Sequence, residues 1–198
     1  MQGMTQDRPL HIIGILLAAG SGKRFDPCGR QNKLLQVLPG GDGIGVAAAR
    51  NLLSAVPAVL AAVKSGAEEL ARQLQEAGCT VAVCPRAEHG MGATLAFALD
   101  QAREANGWLI ALADMPYVKP DTLRLLAQAL REGADIAAPL YQGRRGNPVG
   151  FSRKHLAQLL ELDGDRGARN LLNVHPVTDI PVDDAGVLRD IDAPGDLA

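Results

Sequence analysis

Short apolar runs alternating with segments of helical period constrain this chain more than any other feature of it. The runs fall at residues 10–17, 58–63, 80–84, 108–113 and 135–139. Each is too short for a helix and is bounded by Gly, Pro or polar residues. The first reads as a buried strand of a parallel sheet, and the others read as further short strands. Helices are predicted over 46–56, 67–77, from about 94 to 105, and over 120–131. Pro57 stops the first, Gly78 follows the second, and Pro120 and Gly133 bracket the fourth. Strand and helix alternating on short connections give βαβ units with right-handed crossovers. Aromatic residues make up only 3% of the chain, so the core is built from Leu, Val, Ile and Ala, which suits helices on a sheet. The expected fold is α/β in three layers with a mostly parallel open sheet.

From about residue 140 the alternation breaks. An extended piece at 148–151 leads to a helix over 152–160 with Ser152 as its cap, and 164–169 opens another helix. Residues 177–182 and 187–191 are candidate strands, and this region is expected to cap or cross the sheet. At 198 residues the chain is expected to form a single domain, 1–198, with residues 1–9 frayed.

The net charge of −2 leaves no basic footprint for nucleic acid. Three cysteines, Cys28, Cys79 and Cys84, fit neither a disulfide framework nor a zinc pattern, so reduced thiols are expected. The apolar stretch at 12–17 is too short for a signal peptide, and Asp7 beside Arg8 precedes it in place of a positive run. No stretch reaches the roughly 18 apolar residues of a membrane span. A soluble, cytoplasmic protein is the expectation.

The first strand stops abruptly at small residues and glycines, Leu17-Ala18-Ala19-Gly20-Ser21-Gly22, and then cations appear: Lys23, Arg24 and, further on, Lys33. Open α/β sheets bind ligands beyond the carboxyl ends of their strands, where this loop lies. It is not a Walker A loop, because Leu17 stands at the first glycine position and Arg24 follows Lys23. Nor is it a dinucleotide fingerprint, because Phe25 stands at the third glycine position of the Gly20/Gly22 series. The functional reading is a backbone cradle for a triphosphate, with Arg24 and Lys33 neutralising charge. A surface loop with solvated cations is the competing reading.

Asp114 ends the apolar strand 108–113, on the same sheet edge. A carboxylate beside a triphosphate repels it unless a divalent cation lies between, and Mg2+ favours one or two carboxylates with phosphates and water. Alternatively, Asp114 caps the turn ahead of Pro116. Asp190 and Asp192 flank Ile191, and alternation sends both to one side, where one could complete a metal site with Asp114. The competing reading makes the closing pair a cap for the last turn. Gly143-Arg-Arg-Gly-Asn-Pro148 and Gly164-Asp-Arg-Gly-Ala-Arg169 pair glycines with arginines, as loops for anionic ligands do. For Arg144 and Arg145 an exposed turn is the better reading. His11, His89, His155 and His175 form no metal spacing.

Six ordered motifs together resemble the nucleotidyltransferases of the molybdenum cofactor type, the MobA/MocA-like family. Leu17-Ala-Ala-Gly-Ser-Gly-Lys-Arg-Phe25 with Lys33-Leu-Leu35 is similar to the family's signature. Gly90-Met91 ahead of Leu95 is similar to its Gly-Met-x-x-Ser-Leu loop, and Leu112-Ala-Asp-Met-Pro116 to its metal-binding strand end. Gly146-Asn-Pro-Val149 resembles its Gly-His-Pro-Val, and Gly164-Asp-Arg-Gly-Ala-Arg169 its Gly-Asp-x-Gly-Ala-Arg. Asp190-Ile-Asp-Ala-Pro-Gly-Asp-Leu197 is similar to its closing Asp-Ile-Asp-Thr-Pro-x-Asp-Leu. The Ala-Ala-Gly of the first loop looks more like the cytidylyltransferase branch than the guanylyltransferase branch. There are three departures: Asn147 in place of His, a long run from Asp26 to Asn32 ahead of Lys33, and Ala93-Thr94 in place of serines.

The resemblance implies a Rossmann-like nucleotidyltransferase topology and transfer of a nucleotidyl unit, CMP from CTP or that of a similar nucleotide, to a phosphorylated acceptor, releasing pyrophosphate. It implies Arg24, Lys33 and Asp114 as catalytic residues, and Asp114 and Asp192 as ligands of Mg2+. It implies nucleotide contacts from 17–24, Lys33, Gly90 and Met91, and acceptor contacts from Asn147, Asp165 and Arg169 in the acceptor-side segment 140–198. Molybdopterin is the implied acceptor and a molybdoenzyme the recipient of the product. A non-catalytic nucleotide- or cofactor-binding maturation chaperone, and transfer to a sugar or polyol phosphate, are the alternatives.

Overall fold

A computed structural model describes residues 10–22, 24–28 and 31–197. In chain order the elements are β1 (Ile12–Ala18), α1 (Ile44–Leu53), β2 (Val59–Lys64), α2 (Glu68–Glu76), β3 (Thr80–Cys84), α3 (Met91–Gln101) and β4 (Gly107–Leu112). Then come α4 (Pro120–Arg131), β5 (Ile136–Tyr141), β6 (Arg144–Arg145), β7 (Val149–Ser152), α5 (Leu156–Leu160), α6 (Leu171–Val174) and β8 (Thr178–Pro181). The five apolar runs are therefore strands, within one or two residues of the expected bounds.

The strands form one mostly parallel sheet in the order β3-β2-β1-β4-β7-β5-β6, with β8 paired to β5. β1, β2, β3 and β4 run parallel to one another, and β7 enters antiparallel between β4 and β5. Alternation along β1 divides the core between two faces. Ile12 and Leu16 pack with Leu52 of α1, Leu70 and Leu74 of α2, and Leu126 of α4. Ile13, Ile15 and Leu17 pack with Leu95 and Leu99 of α3, Leu159 of α5 and Leu171 of α6. The result is the three-layer α/β arrangement expected. Each fully buried Leu or Ile contributes about 1.5 to 3 kcal/mol, and only a sheet covered on both faces supplies that many sites. No helix among the described residues is long and apolar enough to cross a membrane.

Three expectations need correction. Residues 187–191 are not a strand. Ala185–Leu188 is a 3-10 turn, because the carboxylate of Asp184 accepts from the Gly186 amide at 3.0 Å and bends the chain. Ser152 stands at the N-cap position but makes no capping hydrogen bond. The helix opening at Gly164 is instead a 3-10 segment, Gly164–Asn170, broken at Gly167, with α6 following it.

Candidate active site

The carboxyl ends of β1 and β4 lie side by side, with Leu17 opposite Leu112 and the Ala113 amide donating to Leu17 O at 3.1 Å. This register puts the first glycine loop next to Asp114. The loop turns back at Gly22, whose carbonyl accepts from the Phe25 and Asp26 amides at 2.9 and 3.0 Å. Asp26 then organises the unusual run: its carboxylate accepts from the Cys28 amide at 2.9 Å and the Gln31 amide at 2.7 Å. Asn32 caps the 3-10 turn Lys33–Leu35 by accepting from the Leu34 amide at 3.0 Å. The long run therefore ends in a fixed turn that starts at Lys33.

Lys33 reaches across to Asp114. Its Nζ lies 2.8 Å from Asp114 Oδ2 and 3.6 Å from Asp192 Oδ1. The Arg24 guanidinium pairs with the other oxygen of Asp192. The Lys33 side chain is 11% exposed, whereas those of Asp114 and Asp192 are 26% and 29% exposed. Two cations and two carboxylates thus meet at the open edge, drawn from sequence positions as distant as 24 and 192. Asp192 is brought there by the closing segment: the Ile191 amide donates to Asp114 O at 2.9 Å.

The cap of the last turn is Asp196, not Asp192. Asp196 Oδ2 accepts from the Ala193 amide at 2.7 Å and the Asp192 amide at 2.9 Å, which leaves the Asp192 carboxylate free for the cations. The Ala193 and Asp192 amides hold the Asp196 carboxyl below its usual range. Asp190 is exposed and makes no ion pair among the described residues.

The donor chemistry suits a hard divalent ion. Asp114 and Asp192 already share one cation, the Lys33 ammonium. No group of three or more His, Cys, Asp or Glu able to hold a metal occurs among the described residues. Two carboxylates with the remaining positions left to phosphate oxygens and water is how Mg2+-type ions are held at nucleotide sites.

The second glycine loop follows the carboxyl end of β3, on the same edge of the sheet. Gly90 has φ +110, and α3 starts immediately after it. A Cβ at Gly90 would stand 2.4 Å from Asp165 Oδ1 and 2.6 Å from the Gly164 carbonyl carbon. The Gly164–Asn170 segment is therefore seated directly on Gly90 and Met91, and Gly167 lies 3.3 Å from Met91 Sδ by the same measure. Thr94 uses its hydroxyl on Gly90 O at 3.1 Å, inside the helix start.

The sequence-derived residues thus fall into two groups. Arg24, Lys33, Asp114 and Asp192 are joined by three ion pairs, Arg24–Asp192, Lys33–Asp192 and Lys33–Asp114. Leu17, Ala18, Ala19, Gly20, Ser21 and Gly22 form the loop beside them. Gly90, Met91 and Asp165 form a separate packed unit, with Arg169 exposed on the same segment. Asn147 belongs to neither group; its amide donates to Val187 O at 2.9 Å, and its peptide bond to Pro148 is cis. Lys23 lies outside the described residues. Sequence reasoning missed Asp184, which is 1% exposed and accepts from Lys119 N at 2.8 Å, Thr122 Oγ1 at 2.7 Å and Gly186 N at 3.0 Å. An Asp two residues before a Gly is the local signal of such a turn.

Solved structures share this architecture along nearly the whole chain. Rv0371c from Mycobacterium tuberculosis H37Rv is 28% identical, with a TM-score of 0.82 over 94% of this chain and 95% of that one. The Rv0371c complex with manganese is 26% identical, with a TM-score of 0.77 over 94% and 95%. A nucleotidyl transferase from Methanothermobacter thermautotroptrophicus is 24% identical, with a TM-score of 0.78 over 94% of each chain, a likeness of fold. A search of curated proteins returned no match. The model of the family described as "MobA-like NTP transferase domain" matches residues 14–179, from β1 to β8 and so across both glycine loops and Asp114. The chain belongs to the family of MobA-like NTP transferase domains.

Proposed function

We propose that the protein transfers a nucleotidyl unit, with CTP favoured as donor, to a phosphorylated acceptor, molybdopterin being the favoured one, for delivery to a molybdoenzyme. The observation that carries this reading is the meeting of Lys33, Asp114, Asp192 and Arg24 beside the first glycine loop. The Ala-Ala-Gly form of that loop supports the cytidine preference, and the motifs at 146–149 and 164–169 support the acceptor.

In this reaction an oxygen of the acceptor phosphate attacks the α-phosphorus of the nucleotide. The bond from that phosphorus to the bridging oxygen breaks, and pyrophosphate leaves with the electron pair. The acceptor phosphate has a second pKa near 6, so at neutral pH it is already a dianion and needs no general base. Catalysis is then charge neutralisation and in-line alignment. Asp114 and Asp192 would hold a divalent ion, Mg2+ in this reading, which would supply charge neutralisation for the phosphates. The backbone N–H groups of 18–22 approach the phosphates, unobstructed by side chains at Gly20 and Gly22. Lys33 leaves the carboxylates for the phosphate oxygens, where charge grows in the transition state. Arg24, at the open rim, holds the departing pyrophosphate.

The test is a panel of each NTP with Mg2+ and molybdopterin, scored by pyrophosphate release. Release that is greatest with CTP and is lost in Asp114→Asn is the expected result. CTP binding without release would select the maturation chaperone instead. Release only with a sugar or polyol phosphate would keep the chemistry and replace the acceptor. Near-normal metal-dependent turnover in Asp114→Asn would remove the metal assignment.

A further inference from the structure

The loop after β4 is tied down at several backbone groups, and one side chain of α1 holds two of them. Asn51 Nδ2 donates to Pro116 O at 2.9 Å and to Val118 O at 3.0 Å. Asp114 O accepts from the Ile191 amide at 2.9 Å, Met115 N donates to Leu112 O at 3.2 Å, and Lys119 N donates to Asp184 Oδ2 at 2.8 Å. On the side away from α1 the loop is closed by Gly186, where a Cβ would stand 2.2 Å from Tyr117 O. The loop is thus gripped between α1 and the segment that carries Asp192.

Ala48, Leu52, Met115, Val118 and Asn147 line a void of about 10 Å3 beside Asn51, room for about one water at most. Buried carbonyls without donors are costly, so the two bonds of Asn51 decide where the loop sits. The helix that holds Asn51 also begins at the end of the Lys33 loop, with the Ile44 amide donating to Gln36 O at 2.9 Å. Asn51 therefore connects the element that delivers Lys33 with the element that delivers Asp114.

We propose that Asn51 is a positioning residue of this site: its paired hydrogen bonds to Pro116 and Val118 set Asp114 in register with Lys33 and Asp192. The proposal rests on the reading of Asp114 as a metal-binding carboxylate. Second partners that orient a ligating carboxylate typically affect metal affinity by about tenfold or more.

The experiment is a Mn2+ titration of the full chain followed by electron paramagnetic resonance, which needs no substrate, with steady-state kinetics alongside. The variants are Asn51→Ala, Asn51→Asp and Asp114→Asn, each checked for folding by circular dichroism. Asn51→Asp keeps the shape of the side chain but has no N–H to give, so it remains a probe if the alanine variant does not fold. Both Asn51 variants are expected to weaken Mn2+ binding by about tenfold and to lower kcat by about tenfold, leaving the KM for the nucleotide within about twofold. A merely structural role would lower the unfolding temperature but leave Mn2+ affinity and kcat of the folded protein at wild-type values at 25 °C. That result, with Asp114→Asn still losing Mn2+, overturns the role of Asn51 alone. Unchanged Mn2+ binding in Asp114→Asn overturns the metal reading beneath it.

Discussion

Replacing Lys33 by Met is expected to tighten binding of a bare divalent ion while abolishing turnover. Without nucleotide, the Lys33 ammonium lies 2.8 Å from Asp114 and 3.6 Å from Asp192, so it holds the carboxylates that an entering ion needs. At an effective dielectric near 20, two unit charges about 4 Å apart attract by about 4 kcal/mol. The carboxylates are 26% and 29% exposed, so water returns most of that when the contact opens. A net of about 1 to 2 kcal/mol is left for the ion to overcome, a factor of about 5 to 30 in Kd. Met keeps the length of the side chain and removes the charge. The assay is Mn2+ titration by electron paramagnetic resonance without nucleotide, together with pyrophosphate release under saturating CTP. Metal affinity should rise by that factor and turnover should fall, two changes of opposite sign that a general loosening of the fold cannot produce. Unchanged or weaker Mn2+ binding in folded Lys33→Met would refute the competition.

Three other outcomes follow from the geometry. Gly90→Ala puts a Cβ 2.4 Å from Asp165 Oδ1 at a φ of +110, so a loss of about 2 to 4 kcal/mol is expected in urea unfolding, and wild-type stability would contradict the packing. The Asp196 carboxyl is held below its ordinary value of 3.8, so its contribution to the closing turn is present above that pH and is lost as pH falls through the lower folded value. The Asp192 and Ala193 amide resonances should therefore shift with a midpoint below 3.8, and a midpoint at or above it would exclude the cap. Cys28 is exposed while Cys79 and Cys84 are buried, and burial pushes the Cys79 thiol up to about 11; a thiol reagent at pH 8 should label one cysteine quickly and the other two only on unfolding.

The sequence was legible where local pattern and tertiary demand coincide. A strand buried on both faces must be apolar throughout, so β1, β2, β4 and β5 can be read from composition and length, and with them the parallel class of the sheet, whereas β3 lies at the sheet edge with Thr80 and Val83 exposed. Glycines and charges that interrupt such runs mark the edge of the sheet, which made the first loop and Asp114 visible. Legibility failed where a side chain redirects the backbone. At 187–191 an apolar pattern reads as a strand, but the buried Asp184 carboxylate turns the chain through Gly186. Asp192 lends itself to reading as a cap, yet Asp196 four residues later takes that role and frees Asp192 for the cations.

The sequence by itself determined the class of fold and the sheet edge where the candidate site lies, because periodicity, glycines and charge are written locally. Only the tertiary structure decided the rest. β7 enters antiparallel between β4 and β5, an order that depends on packing and leaves no trace in local pattern. The Ile191 amide docks on Asp114 O, and so the last turn contributes Asp192 to a site begun by β1. Lys33 meets a carboxylate 81 residues away, and Asn51 holds two carbonyls 65 and 67 residues away. Contacts at such separations exist only once the sheet has set its register, so no window of sequence contains them.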